Sequence, residues 1–146
     1  MQGDHTGRFL IPGAPVEALK RVPLFAELDK REMEQIARLF KERRFSEGET
    51  VTKEGSGGAA FFLIDSGEAA VSVRGKQRMT LKSGDYFGEI ALIDEGARSA
   101  TITAATELVC YGLTYWDFRP LVQGNAAISW KLLQFMVQRL RAVENR

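Results

Sequence analysis

The sequence predicts a mainly β domain, a sandwich or small barrel, with helices at both ends. Between Phe45 and Thr114, short β-prone runs alternate with glycine-marked turns at close spacing. On either side of that region, apolar residues recur at helical spacing instead. The length, 146 residues with 45% hydrophobic and 27% charged, suits one domain able to bury a real core.

Residues 1–13 read as a flexible tail, punctuated by Gly3, Gly7, Pro12 and Gly13. The domain proper is expected over 14–146. Val16 to Val22 forms a short apolar and basic helix that Pro23 stops. Asp29 and Glu32 have the spacing of a helix N-cap and its third residue, a capping-box start. Met33, Ile36, Ala37 and Phe40 follow as one apolar stripe. Lys41, Arg43 and Arg44 are expected in the last turn of that helix, where positive charge favours the dipole.

The strands come next. Thr50–Thr52 is a short run, and Phe61–Ile64 is wholly apolar. Ala69–Val73 leads into a tight turn at Arg74-Gly75-Lys76, followed by a run at Met79–Leu81. Ser99–Thr103 alternates, and Leu108–Leu113 closes the set. Beyond Thr114 the helical period returns over Trp116–Val122, ending near Gly124. Asn125 caps a final helix running to about Val143. That helix carries two stripes. One is Ile128, Leu132, Phe135 and Met136; the other, Trp130, Leu133, Val137 and Leu140, has the spacing of a coiled-coil seam.

Composition excludes several classes of function. A net charge of +1 argues against a protein that coats nucleic acid. No apolar run reaches the ~18 residues of a membrane span, and Met1–Phe9 lacks the apolar core of a signal peptide. The expectation is a cytoplasmic protein with no direct nucleic-acid or membrane partner. Cys110 is the one cysteine and His5 the one histidine, so neither a disulfide within the chain nor a Cys/His metal cage is available. The same shortage removes Ser-His-Asp and Cys-His catalysis and a metal-dependent cupin-type barrel enzyme. Gly55-Ser56-Gly57-Gly58 has no following Gly-Lys-Ser/Thr and reads as a hairpin turn rather than a P-loop. Arg74, Lys76, Arg78 and Lys82 read as a solvated edge strand, and Cys110 as a buried core thiol. Asp94 and Glu95 are adjacent loop carboxylates without the opposed geometry of an acid/base pair.

The segment Gly84–Thr101 stands apart. Arg98 is the single basic residue between Lys82 and Arg119, with Asp85, Glu89, Asp94 and Glu95 around it in sequence. A guanidinium in that setting either clamps an anion bidentately or pairs with Asp94 or Glu95 across a loop. Gly88-Glu89-Ile90-Ala91-Leu92 is able to form a short helical turn whose backbone N–H groups would add to an anion site. The small residues Gly88, Ala91 and Ala100 leave room for a ligand beside the backbone.

Phe87-Gly88-Glu89-Ile90-Ala91-Leu92, followed by Arg98-Ser99-Ala100-Thr101, resembles the phosphate-binding cassette of cyclic nucleotide-binding domains. That family includes the catabolite activators, protein kinase A regulatory subunits and cyclic-nucleotide-gated channels. The resemblance extends over Leu24–Leu28, Phe45–Gly48, Glu54-Gly55, Phe62–Gly67 and Phe118–Val143. It implies an α+β, mainly β fold: an eight-stranded β-roll, or jelly-roll barrel, flanked by N-terminal helices and two C-terminal helices. It also implies a binding module without catalysis or metal, with a cyclic nucleotide as its ligand.

Arg98 would clamp the cyclic phosphate, completed by the backbone N–H groups of Ala91 and Ser99. Glu89 would accept a hydrogen bond from the ribose 2′-hydroxyl. Phe87 and Val71 are candidates for apolar walls, with core packing the other reading of each. Ser99 tilts the base preference to cAMP over cGMP, as the residue after the cassette arginine does in this family. Arg139 falls where an arginine faces the ligand region, and a solvated helix face is its other reading. Val143 and Glu144 stand where activators carry hydroxyls that contact adenine, so the base is capped differently here. The expected output is movement of the last helix, passed to a partner protein, to a second copy through that helix, or to a fused domain. The alternative is a nucleotide-free roll that serves as a protein-interaction module.

Overall fold

The computed structural model of the chain describes residues 13–55, 60–88, 92–94 and 98–145. The tail expected over residues 1–13 lies outside them except for Gly13, which sits against the Ala37 carbonyl. Helix α1 (Val16–Leu19) gives way to a 3₁₀ turn, Pro23–Phe25, where proline occupies a first helical position that needs no N–H. Helix α2 (Lys30–Ala37) starts at the expected capping box. Asp29 Oδ1 accepts from the Glu32 N–H at 2.8 Å, and Glu32 Oε1 accepts from the Asp29 N–H at 2.9 Å.

Here the structure corrects the sequence. Helix α2 ends at Ala37, and Lys41, Arg43 and Arg44 lie in strand β1 (Lys41–Phe45), not in a last helical turn. Phe40 turns into the core and is fully buried. The next five residues then pair in register with the last strand, from Lys41 opposite Gly112 to Phe45 opposite Leu108. This is tertiary pairing overriding local pattern: an edge strand with exposed Lys41, Arg43 and Arg44 has no apolar alternation to announce it.

The remaining strands are β2 (Thr50–Thr52), β3 (Ala60–Ser66), β4 (Ala69–Val73), β5 (Lys76–Leu81), β6 (Tyr86–Phe87), β7 (Thr101–Ala104) and β8 (Leu108–Thr114). They form two four-stranded antiparallel sheets, ordered β1-β8-β3-β6 and β2-β7-β4-β5. The architecture is the expected mainly β roll, with the two sheets facing one another rather than fused into a closed barrel. The β4–β5 turn has φ of 54° at Arg74 and 78° at Gly75, the left-handed pair that a two-residue hairpin needs.

The two central strands of the first sheet, β8 and β3, are buried on both faces. Phe61, Leu63, Tyr111 and Leu113 point to a helical cluster made by α1, the 3₁₀ turn, α2 and the two C-terminal helices. Phe62, Ile64, Leu108 and Cys110 point into the roll. Phe61 is the hub of the outer core, with ring centroids 6.0 Å from Phe25, 5.9 Å from Phe40 and 5.9 Å from Tyr86. Two-faced burial explains why Phe61–Ile64 is continuously apolar instead of alternating.

Helices α3 (Tyr115–Gln123) and α4 (Ala126–Glu144) follow, capped by Thr114 and Asn125. The first half of α4 docks on the helical cluster through Ile128, Leu132 and Phe135. Lys131 Nζ meets Glu32 Oε1 at 2.6 Å, joining α4 to α2. From Met136 to Asn145 every residue of the second half is exposed. No helix of the described residues is long and apolar enough to cross a membrane.

Candidate functional site

A cavity of ≈ 530 Å³ opens between the second sheet and the segment that follows β6. Its size is within the range of small-molecule sites. Thr52, Val71, Met79, Leu81 and Ile102 form one wall, on the inner face of the second sheet. The register aligns four of these. Thr52 lies opposite Ile102, Ile102 opposite Val71, and Val71 opposite Met79. Directly paired antiparallel residues share a face, so the four side chains form a single row across the sheet. Asp85, Tyr86, Phe87 and Gly88 form the opposite wall, and Arg98, Ser99 and Ala100 close one end.

Each element places its residue for a local reason. Phe87 stacks on Phe62 at 5.2 Å between centroids, which fixes the inner end of β6. Asp85 Oδ2 accepts the Lys82 N–H at 2.9 Å and holds the preceding turn. Gly88 follows at φ +85°, and a Cβ there would lie 2.7 Å from both the Ala60 carbonyl oxygen and Arg98 Nη1. Only glycine meets both demands, the left-handed backbone and the close approach. Glu54 and Gly55 pin the far side. The Glu54 N–H donates to Thr101 Oγ1 at 2.9 Å, and the Gly55 N–H donates to the Arg98 carbonyl at 2.9 Å.

Arg98 is the electrostatic centre of the cavity. Its Nη2 donates to the Ala60 carbonyl at 2.5 Å, and its Nε is buried with no hydrogen-bond partner among the described residues. The ion pairs among the described residues are Lys20–Glu17, Lys41–Asp117, Arg44–Glu42 and Lys131–Glu32, and Arg98 is in none of them. Burial pulls the Arg98 guanidinium down from its ordinary range, yet an arginine keeps its charge near neutrality. A half-buried cation that no carboxylate among the described residues pairs with, in a mostly apolar cavity, is built for an anion.

The structure brings Phe87, Gly88, Arg98, Ser99, Ala100 and Val71 together around this cavity. Arg139 is elsewhere. It lies on the exposed half of α4 with its guanidinium 5.6 Å from the centre of the Phe135 ring. Glu89, Ile90 and Ala91 lie outside the described residues. Sequence reasoning missed Thr52, Met79, Leu81, Asp85, Tyr86 and Ile102. The strand alternation at 69/71, 79/81 and 102/104 was the available signal. Which alternating positions end up in one row depends on register, which no local pattern states.

A second concavity of ≈ 430 Å³ lies between Leu92-Ile93 and the two C-terminal helices, where Phe118, Leu132, Leu133 and Met136 line it. Leu92 is 2% exposed and belongs to the helical core. The cavity segment therefore touches α3 and α4 through its far end.

Known proteins share both the sequence and the shape. A model described as a cyclic nucleotide-binding domain matches residues 42–125. The cAMP-dependent protein kinase regulatory subunit of Yarrowia lipolytica is 39% identical over 110 residues, which cover 74% of this chain and 28% of that protein. The chain thus spans little more than a quarter of that relative's length. The N-terminal domain of a transcriptional regulator from Streptomyces coelicolor A3(2) superposes with a TM-score of 0.81 at 27% identity, over 88% of this chain and 95% of that one. The cAMP-bound PfPKA-R fragment 141–441 superposes with a TM-score of 0.66 at 30% identity, over 85% and 46% of the two chains.

Proposed function

The chain belongs to the cyclic nucleotide-binding domain family, and we propose that it is a sensor that holds cAMP, in preference to cGMP, without catalysing a reaction. The observation that carries this reading is Arg98: a buried Nε without a partner and no carboxylate paired to it among the described residues, at the end of an otherwise mostly apolar cavity. A cyclic phosphate has one negative charge and oxygens set to accept a guanidinium fork. The ribose and purine would lie along the Thr52–Ile102–Val71–Met79 row and Phe87. In this reading Glu89 accepts the 2′-hydroxyl, the backbone of Ala91 and Ser99 completes the phosphate site, and Ser99 sets the lean toward adenine. Two relatives speak for adenine by name: the Yarrowia protein is a subunit of a cAMP-dependent kinase, and the PfPKA-R fragment is cAMP-bound.

The signal leaves through α4. A ligand drawing on Arg98 and Glu89 shifts the cavity segment, and Leu92-Ile93 carry that shift to the groove against α3 and α4. The exposed side of α4 then meets a second copy of this chain or an effector protein. Trp130, Leu133, Val137 and Leu140 are all exposed and keep the spacing of a coiled-coil seam. Light scattering after size exclusion, with and without cAMP, tests this step. A Leu133→Glu variant with unchanged oligomeric state and unchanged partner binding contradicts it.

Calorimetric titration of nucleotide-free protein with cAMP and then cGMP tests the function itself. Binding of both, with cAMP tighter, is expected. Binding of neither assigns the roll to protein interaction instead.

A further inference from the structure

We infer that Thr52 is a ligand-binding residue, supplying the hydrogen-bonding side chain of the sheet wall; this rests on the nucleotide reading above. The row it belongs to crosses the second sheet from one edge strand to the other. Its three companions, Ile102, Val71 and Met79, are apolar, and so is Leu81 beside them. Thr52 is the one residue of that wall that carries a hydroxyl.

Three threonine hydroxyls near the strand ends are engaged by the protein. Thr101 Oγ1 accepts the Glu54 N–H, Thr106 Oγ1 the Glu68 N–H, and Thr114 Oγ1 the Asp117 N–H. The Thr52 hydroxyl has no hydrogen bond to any described residue. Valine would fill the same volume, keep the β-branch the strand favours and avoid the cost of drying a hydroxyl. A hydroxyl on a residue that lines an apolar cavity gains a partner when what enters the cavity pairs with it. Because it both donates and accepts, it suits a purine ring nitrogen, an exocyclic amine, a carbonyl or a ribose hydroxyl alike. Thr52 therefore strengthens binding of cAMP and of cGMP together, and leaves the choice between them to other residues.

The test is titration of wild type, Thr52→Val and Thr52→Ser with cAMP, alongside their thermal midpoints. Thr52→Val is expected to bind about fivefold more weakly, the size of one neutral hydrogen bond. Its midpoint should match that of wild type, and Thr52→Ser should regain most of the affinity. A valine variant that binds as tightly as wild type overturns the inference. So does a serine variant as weak as the valine one, or a midpoint that falls with the affinity, since either result places the effect in strand packing. Silence of the wild type toward both nucleotides defeats the functional reading itself, and this inference with it.

Discussion

The first sheet, β1-β8-β3-β6, has apolar side chains on both faces: the helical cluster covers one and the roll interior the other. The second sheet, β2-β7-β4-β5, has one inner face only, and part of that face borders a cavity instead of a core. Its buried anchor is a row at Ala104, Ala69 and Leu81, while the next row, from Thr52 to Met79, opens to the cavity. The difference separates two duties. The doubly covered sheet stabilises the fold, and the singly covered one trades stabilising contacts for a place where a ligand fits. Substitutions in the two sheets should therefore report on different quantities.

The largest effect belongs to the first sheet. Phe61→Ala removes the fully buried hub of four aromatic rings and should cost about 3–5 kcal/mol in urea unfolding. Val71→Ala, in the cavity row, should cost about 1 kcal/mol or less in the same experiment. Equal losses would erase the distinction between the sheets.

Gly88→Ala sharpens it from the cavity side. The new methyl must displace the Ala60 carbonyl or the Arg98 guanidinium, at a backbone angle that alanine resists. We expect cAMP affinity to fall by at least about tenfold while the unfolding free energy falls by only about 1–2 kcal/mol. A variant with wild-type affinity would show that Arg98 has freedom to move aside without loss.

Cys110 provides the smallest and most local check. Burial in the roll pushes its thiol up to about 12. The unfolded chain starts to lose that proton near pH 9, whereas the native protein retains it, so this group's contribution to stability declines as pH rises between 9 and 12. At neutral pH the native protein should react with a thiol reagent at least about a hundredfold more slowly than the unfolded chain. Rapid labelling of the native protein would place the first sheet's inner face in contact with solvent.

Much of this was readable in advance, for physical reasons that differ by residue. The apolar run at Phe61–Ile64 and the capping box at Asp29 announce themselves because a continuous run and a fixed spacing are local facts. Gly88 and Arg98 stand out because few residue types allow a left-handed close approach or offer a guanidinium fork to a cavity. Strand β1 is hidden: Lys41, Arg43 and Arg44 look like the end of a helix, and only pairing with β8 makes them a strand. The wall residues Thr52, Met79 and Ile102 are hidden for the same reason, since they become neighbours only through register. Arg139 is legible only as a position on the last helix, where its guanidinium lies 5.6 Å from the centre of the Phe135 ring on the exposed half of α4.

The central claim is that Arg98 clamps the phosphate of a nucleotide in this cavity. Wild type and Arg98→Ala, each titrated with cAMP and with adenosine, test it most directly. Losing one partner of a buried charged hydrogen bond costs about 2–5 kcal/mol, so Arg98→Ala should weaken cAMP by roughly 30-fold or more. Adenosine, which has no phosphate, should bind both proteins alike. Unchanged cAMP affinity in the variant, or an equal loss for adenosine, would contradict the account.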